Sequence, residues 1–511
     1  MFSIMTEKNP PLTTSVKSTE SSTPSSVLIV GAGPAGLTSG AELVENGFNV
    51  HILEKDPEFV GGISRTARYK GYRFDIGGHR FFSKSSEITA WWRKRLPDDF
   101  IQVRRMSRIY YGGKFYDYPL RAMNALGNLG LWTSGLCMLS YAKSRLFPIY
   151  PEKSFADWVS NRFGSLLFNI FFKTYTEKVW GMPCHEISAD WAAQRIKGLS
   201  LSKAIWHALM PQKKKQGAGL VKTLIDQFEY PRLGPGMMWE KTRDDLLKAG
   251  AGIHMGLCAA KINRSGNRIT SITSEDLSGQ QKDWSADSFI ISMPLQETVL
   301  KFNPPLADSA VSAAKRLRYR DFLTVALMIR QTDIFPDNWI YVHDPSVKLG
   351  RIQNFNNWSP EMVPGSDTTC LGLEYFCFEG DGLWTMSDQD LIDLGKKELR
   401  QLGIISSDTV FDGCVVRMPK SYPVYGPGYQ DDLDAIRAEL EKIENLQVVG
   451  RNGLHKYNNQ DHSMMTALLA ARNLSGANYN VWKVNTDAEY HEEADERQDK
   501  TGRLVPEKIS A

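Results

Sequence analysis

Near the start of the chain, Val27-Leu-Ile-Val30 runs straight into Gly31-Ala-Gly33-Pro34-Ala35-Gly36, followed by a helical stretch, LTSGAELVENG. A second apolar run, NVHILE, then ends at Glu54, with Lys55 behind it. Each glycine has its own duty: a tight turn, close approach of backbone to a pyrophosphate, and close packing of helix on strand. The helix that begins at Pro34 offers free N–H groups and the positive end of its dipole to phosphates. Glu54, closing the second strand, is placed to accept hydrogen bonds from both hydroxyls of a ribose. A lone GxGxxG is weak, but a complete strand–turn–helix–strand–acid unit predicts dinucleotide binding within an α/β, Rossmann-like fold.

The rest of the chain must be accounted for around that unit. Its 511 residues exceed a single ordinary core, since domains run to ~100–200 residues. With 42% hydrophobic and 23% charged residues the composition is that of a globular chain rather than a disordered one. A net charge of only +3 argues against a nucleic-acid partner, which needs a clustered basic surface. A small anionic substrate remains compatible, because a few buried arginines serve it without moving the total. The six cysteines show neither a C-x-x-C pair nor metal-ligand spacing, so free thiols, no metal and a reducing compartment are expected. Residues 1–25, rich in Ser and Thr, read as a tail without the apolar core of a secretory signal, so a cytoplasmic location is expected. Residues 122–142 carry no charge, but their Asn, Gly, Ser and Thr fit a buried or membrane-apposed helix better than a span.

After Glu54 come Gly61-Gly62-Ile-Ser64-Arg65-Thr66 and Phe74-Asp-Ile-Gly77-Gly78-His79. This glycine pair with a following arginine resembles the FAD-binding continuation of the amine oxidase, protoporphyrinogen oxidase and UDP-galactopyranose mutase superfamily. Arg65 would then pair with the FAD phosphates, and the glycines would let backbone lie against the flavin. Near the other end, Leu446-Gln-Val-Val-Gly450-Arg451 resembles the last strand of such an FAD domain. The resemblance implies a discontinuous FAD-binding domain over residues 26–85, 216–300 and 440–480. A helical domain (86–215) and a mixed-sheet substrate domain (301–439) would be inserted between its pieces, with a C-terminal tail over 481–511.

Further stretches resemble UDP-galactopyranose mutases, especially the eukaryotic-type branch. They are the Gly77-Gly78-His79 loop, Thr176-Glu-Lys-Val-Trp180-Gly with Arg195 after it, and Trp339-Ile-Tyr341 with Arg351 after it. The last is Gly450-Arg451-Asn-Gly with Tyr457-Asn-Asn459-Gln460-Asp461-His-Ser463. Asn459, Gln460, Asp461 and Ser463 join the cofactor-binding candidates on this basis. A nucleoside-diphosphate sugar brings two phosphates that suit arginine's planar fork. By motif position the diphosphate falls to Arg195, Arg351, Tyr341, Tyr422 and Tyr457, with Tyr118 and Trp180 as further substrate contacts. An ion pair for each arginine and plain packing for each aromatic residue stand as the alternatives.

The resemblance implies ring contraction of a nucleotide sugar, in which reduced flavin N5 attacks the anomeric carbon and displaces UDP. His79 would sit beside the flavin, while Arg351 and Arg195 hold the leaving diphosphate. NAD(P)H could serve only as a transient reductant, since no second GxGxxG unit is present. The competing reading is an FAD-dependent oxidoreductase, of amine oxidase, protoporphyrinogen oxidase or desaturase type, acting on an amine or lipophilic substrate. The sequence leaves the oligomeric state open.

Overall fold

The computed structural model describes residues 25–189, 227–406 and 409–485. Arg195, residues 1–24 of the expected N-terminal tail and residues 486–511 of the expected C-terminal tail fall outside those residues, whereas Val481 and Val484, placed in that tail on sequence, are buried. The N-terminal unit folds as β1 (Ser26–Val30), α1 (Pro34–Glu45) and β2 (Asn49–Glu54). Four of the five β1 residues are buried, as expected of a parallel strand covered on both faces. Val27 pairs in parallel with Val50 on one side and Ser288 on the other. The complete sheet is parallel, in the order Leu446–Val448, Ser288–Ile291, β1, β2, Gly252–Met255. Three distant parts of the chain thus build one sheet, and its carboxyl edge gathers Gly31, Glu54, Ser292 and Val449.

α1 can lie close to this sheet because its inward residues are small. A Cβ on Gly36 would stand 1.8 Å from the Gly31 carbonyl oxygen, and one on Gly40 would stand 3.0 Å from Ile52. Its other side meets the helix Gln460–Leu474, buried from Gln460 to Ala471. A four-stranded sheet (Gln281–Trp284, Arg268–Glu275, Cys258–Ser265, Phe302–Asn303) flanks this layer.

The second large layer is a mixed seven-stranded sheet. Its order is Val410–Val424, Arg318–Ile329, Thr369–Cys377, Arg351–Asn354, Trp339–Val342, Ser107–Tyr111, Lys114–Asp117. The helix Asp388–Gln401 covers one face with Leu391 and Leu399. The fold is therefore α/β, with a parallel Rossmann-like sheet and a mixed sheet over a substrate region.

The last two strands come from a segment that reads as helical on sequence. Gly112 (φ +58°) and Gly113 (φ +74°) join them in a two-residue turn that only left-handed backbone makes easily. The segment returns to helix at Ala122–Leu129 and Leu131–Leu146, then at Phe155–Phe163 and Thr174–Trp180. Gly130 (φ +82°) breaks the uncharged run into two short helices. Among the described residues no helix is long and apolar enough to cross a membrane. Nor is the run buried, since Leu131 is 95% exposed. All six cysteines are free thiols, and no group of His, Cys, Asp and Glu among the described residues could hold a metal.

Candidate functional site

A cavity of about 340 Å³ opens along the carboxyl edge of the parallel sheet and reaches the mixed sheet. That is within the usual size range of small-molecule sites. Its first wall is the N-terminal unit: Gly31, Gly33, Pro34, Ala35, Glu54 and Lys55, joined by Gly62 and Ser64 from the turn behind β2. Gly31 adopts φ +99°, and a Cβ there would lie 2.4 Å from Ser292 Oγ. Gly33 is different: a Cβ would meet nothing within 4 Å, and the residue faces the cavity. The three glycines therefore divide their roles as the motif predicts, with Gly36 lying beneath the cavity rather than in its wall.

Glu54 is buried, and burial raises its pKa against the pull of its hydrogen bonds. Its two oxygens accept from Ala32 N (2.6 Å) and Asp56 N (2.9 Å). An ionised carboxylate has about four acceptor positions, so capacity remains for ribose hydroxyls. Arg65 does not reach the cavity wall. It pairs with Asp56, and its guanidinium lies 4.9 Å from the centre of the Phe59 ring. In this arrangement it braces the β2 loop instead of facing a phosphate.

The middle of the cavity is lined by Gly77, Gly78 and His79. His79 Nδ1 lies 3.1 Å from the Gly77 carbonyl, which can only accept, so Nδ1 carries the proton. Burial lowers the imidazole pKa to about 4, assisted by Arg451 and Arg351. At neutral pH the ring is uncharged and its Nε2 is an acceptor.

The far wall joins Gly450, Arg451, Tyr457, Asn459, Gln460, Asp461 and Ser463 to Arg351 and Tyr422 of the mixed sheet. Arg351 stands directly opposite Glu374 on the next strand, and the two form an ion pair. Glu374 is fully buried and also accepts from Gln353 Nε2 at 2.7 Å. Burial works against the Arg351 charge, yet Glu374 overcomes it and holds the guanidinium pKa well above its ordinary value. Arg351 Nη2 donates to Tyr422 Oη at 3.1 Å. The Tyr422 and Tyr457 rings stack at 5.7 Å, and the Arg451 guanidinium lies 4.6 and 4.3 Å from their centres. Two arginines and two tyrosines thus form one cationic, aromatic cluster beside His79.

Several predicted contacts lie outside this wall. Tyr118 and Tyr341 pack against each other at 4.8 Å, and Tyr175 meets Tyr341 edge-on at 5.5 Å. Trp180 is buried, 6.3 Å from both the Tyr425 and Tyr457 rings, one layer behind the cavity. Two residues escaped the sequence reading. Glu374 was signalled by an acid in the otherwise unbroken buried strand TCLGLEYFC, which demands a cationic partner. Tyr175, stacked on His343 at 4.7 Å, gave no comparable signal.

The wall suits a flavin dinucleotide. Buried polar atoms of Arg451 (Nε, Nη2), Asn452 (Oδ1), Gln460 (Oε1) and Asp461 (Oδ1) have no protein hydrogen-bond partner. A buried polar atom left in that state is costly, and a flavin ring with its ribityl chain carries matching donors and acceptors. The fold and the cavity together define a dinucleotide-binding flavoprotein. In agreement, residues 34–474 match the model of the flavin containing amine oxidoreductases, and the chain belongs to that family. FAD binding follows from that membership.

Among curated relatives, the coproporphyrinogen III oxidase of Mycobacterium leprae (strain TN) is 24% identical over 433 residues, spanning 81% of this chain and 91% of that protein. A probable UDP-galactopyranose mutase of Klebsiella pneumoniae is 23% identical over 171 residues, 32% of this chain and 43% of that one. Among solved structures, a reduced UDP-galactopyranose mutase superposes with a TM-score of 0.75 at 22% identity, covering 88% of this chain and 94% of that one. A putative protoporphyrinogen oxidase from Exiguobacterium sp. 255-15 follows at 0.65 and 17%, covering 88% and 98%. At such identities these structures share the fold.

Proposed function

We propose that the protein is an FAD-dependent isomerase of the UDP-galactopyranose mutase type, contracting the ring of a nucleoside-diphosphate hexose. The observation that carries this reading is Arg351, paired with Glu374 and bonded to Tyr422 beside Tyr457, which opens into the same cavity as the dinucleotide loop. An amine or polyene would gain nothing from the Arg351 guanidinium in a desolvated wall, whereas a diphosphate is matched by its planar fork. When bound in its reduced form, FAD would supply the nucleophile for the anomeric carbon.

The chain's own part is to bind, orient and exclude water. Arg351, fixed by Glu374 and Tyr422, presents its remaining N–H groups to the leaving diphosphate, and holding that group close favours its return over loss to water. Arg195 remains a candidate second partner. Neutral His79 places an acceptor, Nε2, at the cavity rather than a third positive charge. NAD(P)H as the transient reductant and Tyr118 and Tyr341 as contacts for the distal part of the substrate complete the proposal, with Trp180 backing Tyr457 from behind the cavity.

One observation favours a second reading, an FAD-dependent oxidoreductase: the coproporphyrinogen oxidase match spans far more of the chain than the mutase match. Flavin fluorescence separates the two. UDP added to the reduced holoprotein should perturb the flavin signal, and Arg351→Ala should weaken that response roughly 10–100-fold. No response to UDP or UDP-galactose, with oxygen uptake on a porphyrinogen or amine, would transfer the site to the second reading.

A further inference from the structure

Of the two helices that replace the uncharged run, the second is built inside out. In Leu131–Leu146 the inward residues are small or polar: Ser134 Oγ donates to Leu126 O at 3.0 Å, and Ser140 Oγ accepts from Leu166 N at 3.1 Å. Gly164 lets the next helix approach, since a Cβ there would lie 2.8 Å from Tyr141 N. Outward, at helical spacing, stand Trp132 (81% exposed), Leu136, Leu139 (68%) and Leu146 (74%). A helix facing water carries the opposite pattern. The loop that follows extends the same surface with Phe147 and Tyr150, and its backbone is clamped: Asn161 both accepts from Ile149 N and donates to Ile149 O, each at 2.9 Å. The apolar side chains are thus presented on a fixed frame.

Within the hairpin itself the charges all have one sign. From Tyr118 to Pro151 the only charged residues are Arg121, Lys143 and Arg145, all exposed. The first acids beyond either end, Asp117 and Glu152, lie against Arg121 and Arg162. A second copy docked about a two-fold axis would set these cations against themselves. A bilayer with anionic headgroups complements both features, since it accepts Trp, Leu and Phe at the acyl boundary and Lys and Arg above it.

We infer that the hairpin formed by residues 122–150 is a docking surface for an anionic phospholipid membrane, on which the protein lies without spanning it. This inference is independent of the reaction assigned to the cavity, because Trp132 and Leu139 touch neither the dinucleotide loop nor the arginine cluster.

Flotation of the full flavin-loaded chain with vesicles of phosphatidylcholine, alone and mixed with phosphatidylglycerol, tests it. The mixed vesicles should retain the protein, and Trp132→Glu with Leu139→Glu should lower the bound fraction roughly tenfold or more. Lys143→Gln with Arg145→Gln should lower it roughly fivefold per charge removed, and high salt should erase that second effect. Unchanged flavin absorbance and far-ultraviolet dichroism would show the variants folded. Absence of retention by the original chain, or retention indifferent to the Trp132 and Leu139 substitutions, overturns the inference. So does a dimer that those substitutions dissolve without any vesicle binding, which would assign the face to a second copy.

Discussion

At the scale of single residues, the site rests on a buried cross-strand ion pair. Arg351→Ala leaves the fully buried Glu374 carboxyl without its cationic partner, which should cost about 3–5 kcal/mol of stability as well as substrate affinity. Arg351→Lys keeps a charge for Glu374 but loses the fork, so it should recover most of the stability and little of the UDP response. Urea unfolding beside UDP titration checks both outcomes. His343 offers a separate test. Burial pushes its imidazole down to about 3 from an ordinary 6.5, with the nearby Lys178 charge adding to the effect. A depressed folded-state value means that the unfolded chain binds the proton first, so this contribution is present above pH 6.5 and is lost as pH falls toward 3. His343→Gln should therefore flatten the pH dependence of unfolding in that window by at most about 1.4 kcal/mol per pH unit. An unaltered slope would mean that the ring is solvated.

At the scale of elements, β1, α1 and β2 were legible because their information is local. Glycines, periodicity and the terminal acid all lie within residues 27–54. The two motif glycines should separate experimentally. Gly33→Val has an ordinary φ of −77° and open space at Cβ, so it should unfold within about 1 kcal/mol of the original chain yet lose bound flavin. Gly36→Val drives a side chain into the Gly31 carbonyl and should cost more than ~3 kcal/mol whether or not flavin is present. Thermal melts of both variants, with flavin content by absorbance, distinguish them. What escaped the sequence was nonlocal. Ser107–Tyr111 and Lys114–Asp117 fall in a segment read as helical, and their place beside Trp339–Val342 depends on a partner more than 200 residues away. The Arg351–Glu374 register is likewise a property of paired strands, invisible in either strand alone. Arg65 shows the converse, since a nearby acid, Asp56, pairs with the side chain that the motif assigns to a phosphate.

At the scale of the whole molecule, the parallel sheet is assembled from strands between Ser26 and Val448, so the cavity exists only when these distant parts of the chain have come together. That interleaving brings Arg351 and Tyr422 of one sheet against Gly33 and Glu54 of the other, and it lets a chain of net charge +3 concentrate cations in one wall. The proposed reaction is an isomerisation without net redox change. Incubating the reduced, flavin-loaded protein with UDP-galactopyranose and resolving the nucleotide sugars by chromatography tests it most directly. The furanose form should appear after reduction and not before, with no reductant consumed in proportion to product. An unchanged substrate in the presence of fully reduced flavin would contradict the account.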